Sequence, residues 1–137
     1  MQCTSILLTG KTDGLLYIYS IPIGLLTEGI LHANNARDIK ADTKIGAYTL
    51  ASLIGIDLSY LFYIFLFIGS YVTVVLISLN HHWGCVTTLL TLPLAYGLIK
   101  KFKDRDLLTL PEETAQMHLP FGLLLLFGIL VTDGGLL

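Results

Sequence analysis

Residues 58–79 read Leu58-Ser59-Tyr60-Leu61-Phe62-Tyr63-Ile64-Phe65-Leu66-Phe67-Ile68-Gly69-Ser70-Tyr71-Val72-Thr73-Val74-Val75-Leu76-Ile77-Ser78-Leu79, without one charged side chain. Crossing the ~30 Å hydrocarbon layer of a bilayer takes about 20 helical residues, whose backbone groups must all be satisfied internally. The stretch therefore predicts a membrane-spanning helix. Three further spans flank it: Gly14–His32, apolar but for Glu28 and a few hydroxyls; Trp83–Ile99, uncharged; and Leu119–Thr132, the shortest. Pro22, Pro93 and Pro120 fall in or beside these spans, where membrane helices tolerate them because neighbours satisfy the freed backbone groups. The expected fold is an all-α polytopic membrane bundle of about four transmembrane helices plus short surface helices.

Composition agrees. Of 137 residues, 54% are hydrophobic and 13% charged, with a mean hydropathy of +0.75, far more apolar than a soluble domain. A net charge of −2 and the lack of a basic stripe interleaved with aromatics argue against a nucleic-acid partner. Cys3 and Cys85 have neither CxxC nor Cys/His spacing and read as packing residues. Residues 1–13 form a polar lead whose brief apolar run precedes Lys11, the wrong order for a secretory signal.

Between the spans lie a charged linker after His32, a short surface helix over Ala47–Gly55, and an amphipathic surface helix over Lys100–Met117 interrupted at Pro111. Arg37, Lys40 and Lys44 follow the first span, and Lys100, Lys101, Lys103 and Arg105 follow the third. Alternating topology puts both groups on one side, which the positive-inside rule makes cytosolic. The second group reads mainly as a topology and anionic-lipid signal. On the opposite side His81 and His82 are adjacent turn residues that point apart, and Trp83 is an interfacial anchor.

The chemistry-bearing run is Asn34-Asn35-Ala36-Arg37-Asp38-Ile39-Lys40-Ala41-Asp42. Asn34, Asp38 and Asp42 stand four residues apart, so on a helix each drifts by only ~40° from the last and all three share a side. Such oxygen donors suit Mg²⁺, which is held by one or two carboxylates together with waters and a substrate phosphate. An ordinary solvated charged loop is the competing reading. On a helical wheel His32, Asn35 and Asp42 fall within roughly 40° of Glu28, with Arg37 opposite. Glu28 should face the bundle interior, a water-filled cavity or His32, either as part of a polar path or as a buried packing contact. The aromatics Tyr60, Phe62, Tyr63, Phe65 and Phe67 suit either a pocket for an isoprenoid or lipid-facing bulk.

Leu31-His32-Ala33-Asn34-Asn35-Ala36-Arg37-Asp38, then Asp42, Gly46, Thr49-Leu50 and Ile54-Gly55, resembles the second aspartate-rich motif of the UbiA-type intramembrane prenyltransferases. The menaquinone branch, with the animal UbiA prenyltransferase domain-containing proteins, is the most similar. The resemblance runs from about Leu15 to Val131 and includes Thr91-Leu92-Pro93-Leu94-Ala95. It implies a nine-helix fold of which residues 14–137 form the C-terminal half. Two aspartate-rich motifs there hold Mg²⁺ and an isoprenyl diphosphate, such as geranylgeranyl diphosphate, whose allylic carbon is attacked by an aromatic quinone-type acceptor.

Carried over, Asn34, Asp38 and Asp42 are the metal ligands, Asp38 and Asp42 the catalytic pair, and Asn34, Asn35 and Lys44 the substrate contacts. Thr43 stands where the family commonly has a basic residue, one place before Lys44. Nothing upstream of Asn34 matches the first motif, so the chain is expected to be a fragment or shortened isoform, inactive alone and associating with a missing N-terminal half or with other copies. The alternative is a non-catalytic membrane subunit that binds prenyl lipid or a partner protein. The membrane would be endoplasmic reticulum or Golgi in an animal and the plasma membrane in a bacterium.

Overall fold

The computed structural model describes residues 14–132, among which only helices and their connections occur. They are α1 (Gly14–Ile45), α2 (Leu50–Asn80), a 3₁₀ helix (Trp83–Thr91), α3 (Leu92–Lys103) and α4 (Leu110–Thr132). The N-terminal lead, Cys3 and Asp133 lie outside the described residues. Four pieces are long and apolar enough to cross a membrane: Leu16–Ile45, Leu50–Asn80, Trp83–Lys103 and Leu110–Thr132. The expected number of spans is present, but their ends differ from those read in the sequence.

The charged linker after His32 is helical. Ala, Arg and Lys are good helix formers, and no proline or glycine interrupts the chain before Gly46. There Gly46 turns to φ 72°, Ala47 N donates to Asp42 O at 2.9 Å and Gly46 N to Thr43 O at 3.3 Å, a Schellman end that only a left-handed residue completes. At 32 residues α1 is ~48 Å long, more than the hydrocarbon layer needs, so the Asn34–Asp42 turns extend from the apolar part of the rod.

Thr49 and Ser52 form a reciprocal capping box at the start of α2, with Thr49 N to Ser52 Oγ at 2.9 Å and Ser52 N to Thr49 Oγ1 at 3.2 Å. Gly55 at φ 77°, ψ 170° occupies a region open essentially to glycine alone and breaks the helix. The expected short helix ending in glycine is thus present, beginning at Leu50 and running on into α2.

Trp83–Thr91 is a nine-residue 3₁₀ helix, longer than the usual three or four residues. Cys85, Thr88 and Thr91 are buried at intervals of three, the period of that helix. Thr87 Oγ1 and Thr91 Oγ1 donate to the carbonyls three residues back, at 2.9 and 2.7 Å. With a rise of ~2.0 Å per residue it adds ~18 Å to the ~18 Å of α3, so this short apolar segment still crosses the layer.

Pro111 corrects another expectation. It does not interrupt a surface helix over Lys100–Met117 but sits in the first turn of α4, where its missing N–H costs nothing. α3 ends at Lys103, and Arg105 at φ 62° closes it, with Asp106 N donating to Lys101 O and Arg105 N to Phe102 O. A left-handed non-glycine residue costs about 1–2 kcal/mol. The Arg105 side chain gains compensating contacts, an ion pair with Asp57 and a bond to Ile56 O at 3.2 Å.

The elements run up and down. α1 packs along α2, and α4 packs on the 3₁₀ helix and on α1. At one end Tyr19 meets His82 and Gly84 N bonds Thr132 Oγ1; at the other Arg37 faces Glu112 and Arg105 holds Asp57. Between them Tyr63 meets Phe67 and Phe102 at ring distances of 4.7 and 5.0 Å. Buried hydroxyls bridge helices: Tyr63 to Thr114 at 2.7 Å, Tyr71 to Thr91 at 2.6 Å, and Ser70 to the Pro22 carbonyl at 2.9 Å. The aromatic run is therefore divided, since Tyr63 and Phe67 are core while Phe65 is 63% exposed on the outer face.

Among the described residues the basic groups around Lys40 and Lys103 lie at one end, so cysteines placed there should be labelled from the cytosol and one at His82 from the opposite side. Impermeant maleimide on intact vesicles, in a Cys3→Ser/Cys85→Ala background, checks this. Labelling of Lys40 and His82 positions from the same side would overturn the span count.

Candidate functional site

On the last turns of α1 the expected i, i+4 register brings Asn34 and Asp38 together, and a third residue joins them. Arg37 Nε donates to Asp38 Oδ1 at 2.8 Å, while its Nη2 donates to Asp38 Oδ2 and to Asn34 Oδ1, each at 2.7 Å. Arg37 was expected on the opposite side from the metal ligands. A wheel tracks Cβ directions, whereas the guanidinium sits at the end of a long flexible stem and folds back over the neighbouring turn. Asn34 and Arg37 are also i, i+3 neighbours, the sequence signal that points to their contact.

Asp42 lies half-buried one turn further on, its backbone carbonyl used in the helix end and its carboxylate outside the Arg37 cluster. Asn35, Asp42 and Lys44 make no side-chain hydrogen bond or ion pair among the described residues. Nor, among those residues, do three or more His, Cys, Asp or Glu side chains gather as a ready metal cluster. What the sequence pointed to is present as oxygen donors on one helix rather than as a closed cage.

The polar stripe behind them divides in two. His32, expected beside Glu28, is buried against α2, where its Nε2 lies 3.1 Å from Ser59 O and its ring stands edge-on to Phe62 at 4.8 Å. Glu28 faces the other way, into a groove of ≈ 520 Å³ between α1 and α4 that Asn34, Pro111 and Glu112 also line. Glu28 and Asn34 therefore mark a polar track up this groove to the Arg37 cluster. Glu112 closes its upper end, with Oε1 3.7 Å from Arg37 Nη1.

A second groove, of ≈ 540 Å³, lies on the other flank of α1, where Arg37, Lys40, Arg105 and Asp106 surround an apolar floor of Ile39, Ile56 and Leu107. The basic loop after α3 thus does approach the aspartate turn. In the last turn of α3 Lys101 is engaged by Glu113 and Thr109 and lies 3.5 Å from Asp106. Lys101 and Arg105 are accordingly tied to carboxylates of this chain, while Lys100 and Lys103 remain exposed. Sequence reading missed Asp57, Glu112 and Glu113, whose partners are distant in the chain.

The donor set suits a hard cation. Amide and carboxylate oxygens of Asn34 and Asp38 already converge on one positive group, the guanidinium, and Asp42 supplies a further carboxylate nearby. Mg²⁺ that keeps waters and shares a substrate phosphate needs no more protein ligands than these.

A family model described as the UbiA prenyltransferase family matches residues 3–127. UbiA prenyltransferase domain-containing protein 1 of Mus musculus is 38% identical over 118 residues, covering 86% of this chain and 35% of that protein. The protein of that name from Gallus gallus is 35% identical over 120 residues, covering 88% and 36%. The one from Dictyostelium discoideum is 38% identical over 133 residues, covering 96% and 40%. The chain spans about two-fifths or less of the length of these relatives.

Proposed function

Because the chain belongs to the UbiA prenyltransferase family, we propose that it supplies the second aspartate-rich motif of an intramembrane enzyme that moves an isoprenyl chain from a prenyl diphosphate to an aromatic acceptor. The acceptor is of quinone type, as in menaquinone or ubiquinone synthesis. The carrying observation is the convergence of Asn34 and Asp38 oxygens on a single cation at the basic end of an otherwise apolar bundle. Asn34, Asp38 and Asp42 would hold Mg²⁺, and Lys44 and Asn35 would contact the phosphates. Bound there, the metal would supply Lewis-acid stabilisation of the negative charge that builds on a departing diphosphate.

The chain's other residues do the positioning. The groove along Glu28, Ile30, Leu31 and Ala115 offers an apolar wall beneath the polar mouth, which suits a molecule with a charged head and a hydrocarbon tail. Exclusion of water from the allylic carbon requires walls on all sides, and this groove is open on one.

Purified chain in lipid nanodiscs, given Mg²⁺, geranylgeranyl diphosphate and a naphthoquinone, is therefore expected to give no prenylated product alone. Adding a membrane segment that carries a first aspartate-rich motif should give Mg²⁺-dependent product. Mg²⁺-dependent product from the chain alone would mean that copies build a site from paired second motifs. No product from either mixture would favour a non-catalytic membrane subunit.

A further inference from the structure

Arg37 makes more contacts than a solvated helix arginine needs. Three oxygens of Asn34 and Asp38 lie at 2.7–2.8 Å from its nitrogens, so the same lone pairs that suit a divalent cation are already in use. Two-pronged guanidinium–carboxylate pairing is geometrically selective and among the stronger hydrogen-bonded arrangements. A metal ion and this guanidinium compete for the charge on the Asp38 oxygens and repel each other at close range, so binding of one weakens the hold of the other. The guanidinium has somewhere else to go. Its free edge, Nη1, lies 3.7 Å from Glu112 Oε1 on α4, and Glu112 makes no other ion pair or side-chain hydrogen bond among the described residues. The Glu112 side chain is 61% exposed and free to close that gap.

We infer that Arg37 is a counter-ion latch, which holds Asn34 and Asp38 converged in the absence of metal and transfers to Glu112 when a divalent cation takes their oxygens. It is a positioning residue, and the inference rests on the reading of Asn34, Asp38 and Asp42 as metal ligands. Metal affinity is then an exchange: the cation displaces the two-pronged pair, and Glu112 receives the displaced charge. The exchange also links α1 to α4, since the arriving metal strengthens the only ion pair described between those helices.

The test uses Mn²⁺ as the probe, bound by the 137-residue chain in nanodiscs and followed by loss of the free aqua-ion signal in electron paramagnetic resonance. Arg37→Gln should bind Mn²⁺ about tenfold more tightly than the wild type, the size expected for release of one good charge-assisted pair. Arg37→Lys, which keeps the charge and the fold but loses the two-pronged geometry, should tighten binding about threefold by the same reasoning. Glu112→Gln should weaken binding about threefold in the wild type and leave it unchanged beside Arg37→Gln, since the effect runs through the guanidinium. Binding by Arg37→Gln and Arg37→Lys that is no tighter than wild type, with Asp38→Asn and Asp42→Asn abolishing uptake, would overturn the latch and leave the metal ligands standing. Uptake that is absent throughout, or indifferent to Asp38→Asn and Asp42→Asn, would overturn the ligand reading and the latch together.

Discussion

Asp38→Asn and Asp42→Asn, each made in the chain while a first aspartate-rich motif is supplied, should lower prenyl transfer by about 10²-fold or more, the cost of removing one group that stabilises developing charge. Each change deletes a negative charge and keeps the side-chain volume. Helix content and membrane insertion should survive, because neither carboxylate holds the bundle together: Asp38 bonds only within its own helix, and the Asp42 carboxylate makes no hydrogen bond or ion pair among the described residues. Turnover measured at limiting Mg²⁺ decides the matter, and near-normal rates in both variants would reject them as ligands. Lys103→Gln, at an exposed position, should change the rate far less.

Gly84→Ala is expected to cost about 3 kcal/mol of stability, at the upper end of what overpacking does. A Cβ there would press into the Gly128 carbonyl of α4 and lie 2.9 Å from Thr132 Oγ1. The obstruction is backbone and cannot swing aside as a flexible side chain would. Gly128→Ala should cost a similar amount, because its Cβ would meet the backbone of Gly84 and Cys85. Bringing two backbones this close is how small residues join helices where no hydrophobic force acts between them. Gly97→Ala is the control. Its Cβ would meet nothing within 4 Å, and replacing a mid-helix glycine by alanine should be neutral or stabilise by up to about 1 kcal/mol. Steric-trap unfolding in bicelles measures all three, and equal stability of Gly84→Ala and Gly97→Ala would show that the helices do not meet at these glycines.

Hydropathy made the spans legible because residues 58–79 carry no charge and no alternative fold can bury them. The ends were less legible for a physical reason: a helix leaving the hydrocarbon need not stop, and the turns from Asn34 to Ile45 stay helical while carrying charge until Gly46 permits the left-handed cap. Pro111 was misread because a proline marks either an interruption or a first turn, and only the chain reversal around Arg105 decides which. The 3₁₀ helix was hidden as well, since its length depends on contacts across the bundle such as Thr87 Oγ1 to Leu124 O at 3.2 Å. At the site, the register of Asn34, Asp38 and Asp42 followed from four-residue spacing alone. The engagement of Arg37, the pairing of Arg105 with Asp57 and the turning of His32 toward Ser59 did not, because they depend on side-chain reach or on residues far apart in sequence.

The Schellman end at Gly46 places Asp38 and Asp42 in the final two turns of a 32-residue helix. Aligned peptide dipoles leave the equivalent of about half a negative charge at such an end. Two carboxylates therefore sit in a field already of their own sign, offset by Arg37, Lys40 and Lys44. A divalent cation is drawn by the carboxylates and by the helix end, while the three basic side chains keep these turns from repelling an anion outright. Under the proposed function, the end of the rod then favours the metal at the carboxylates themselves and leaves the diphosphate to the basic side chains around them.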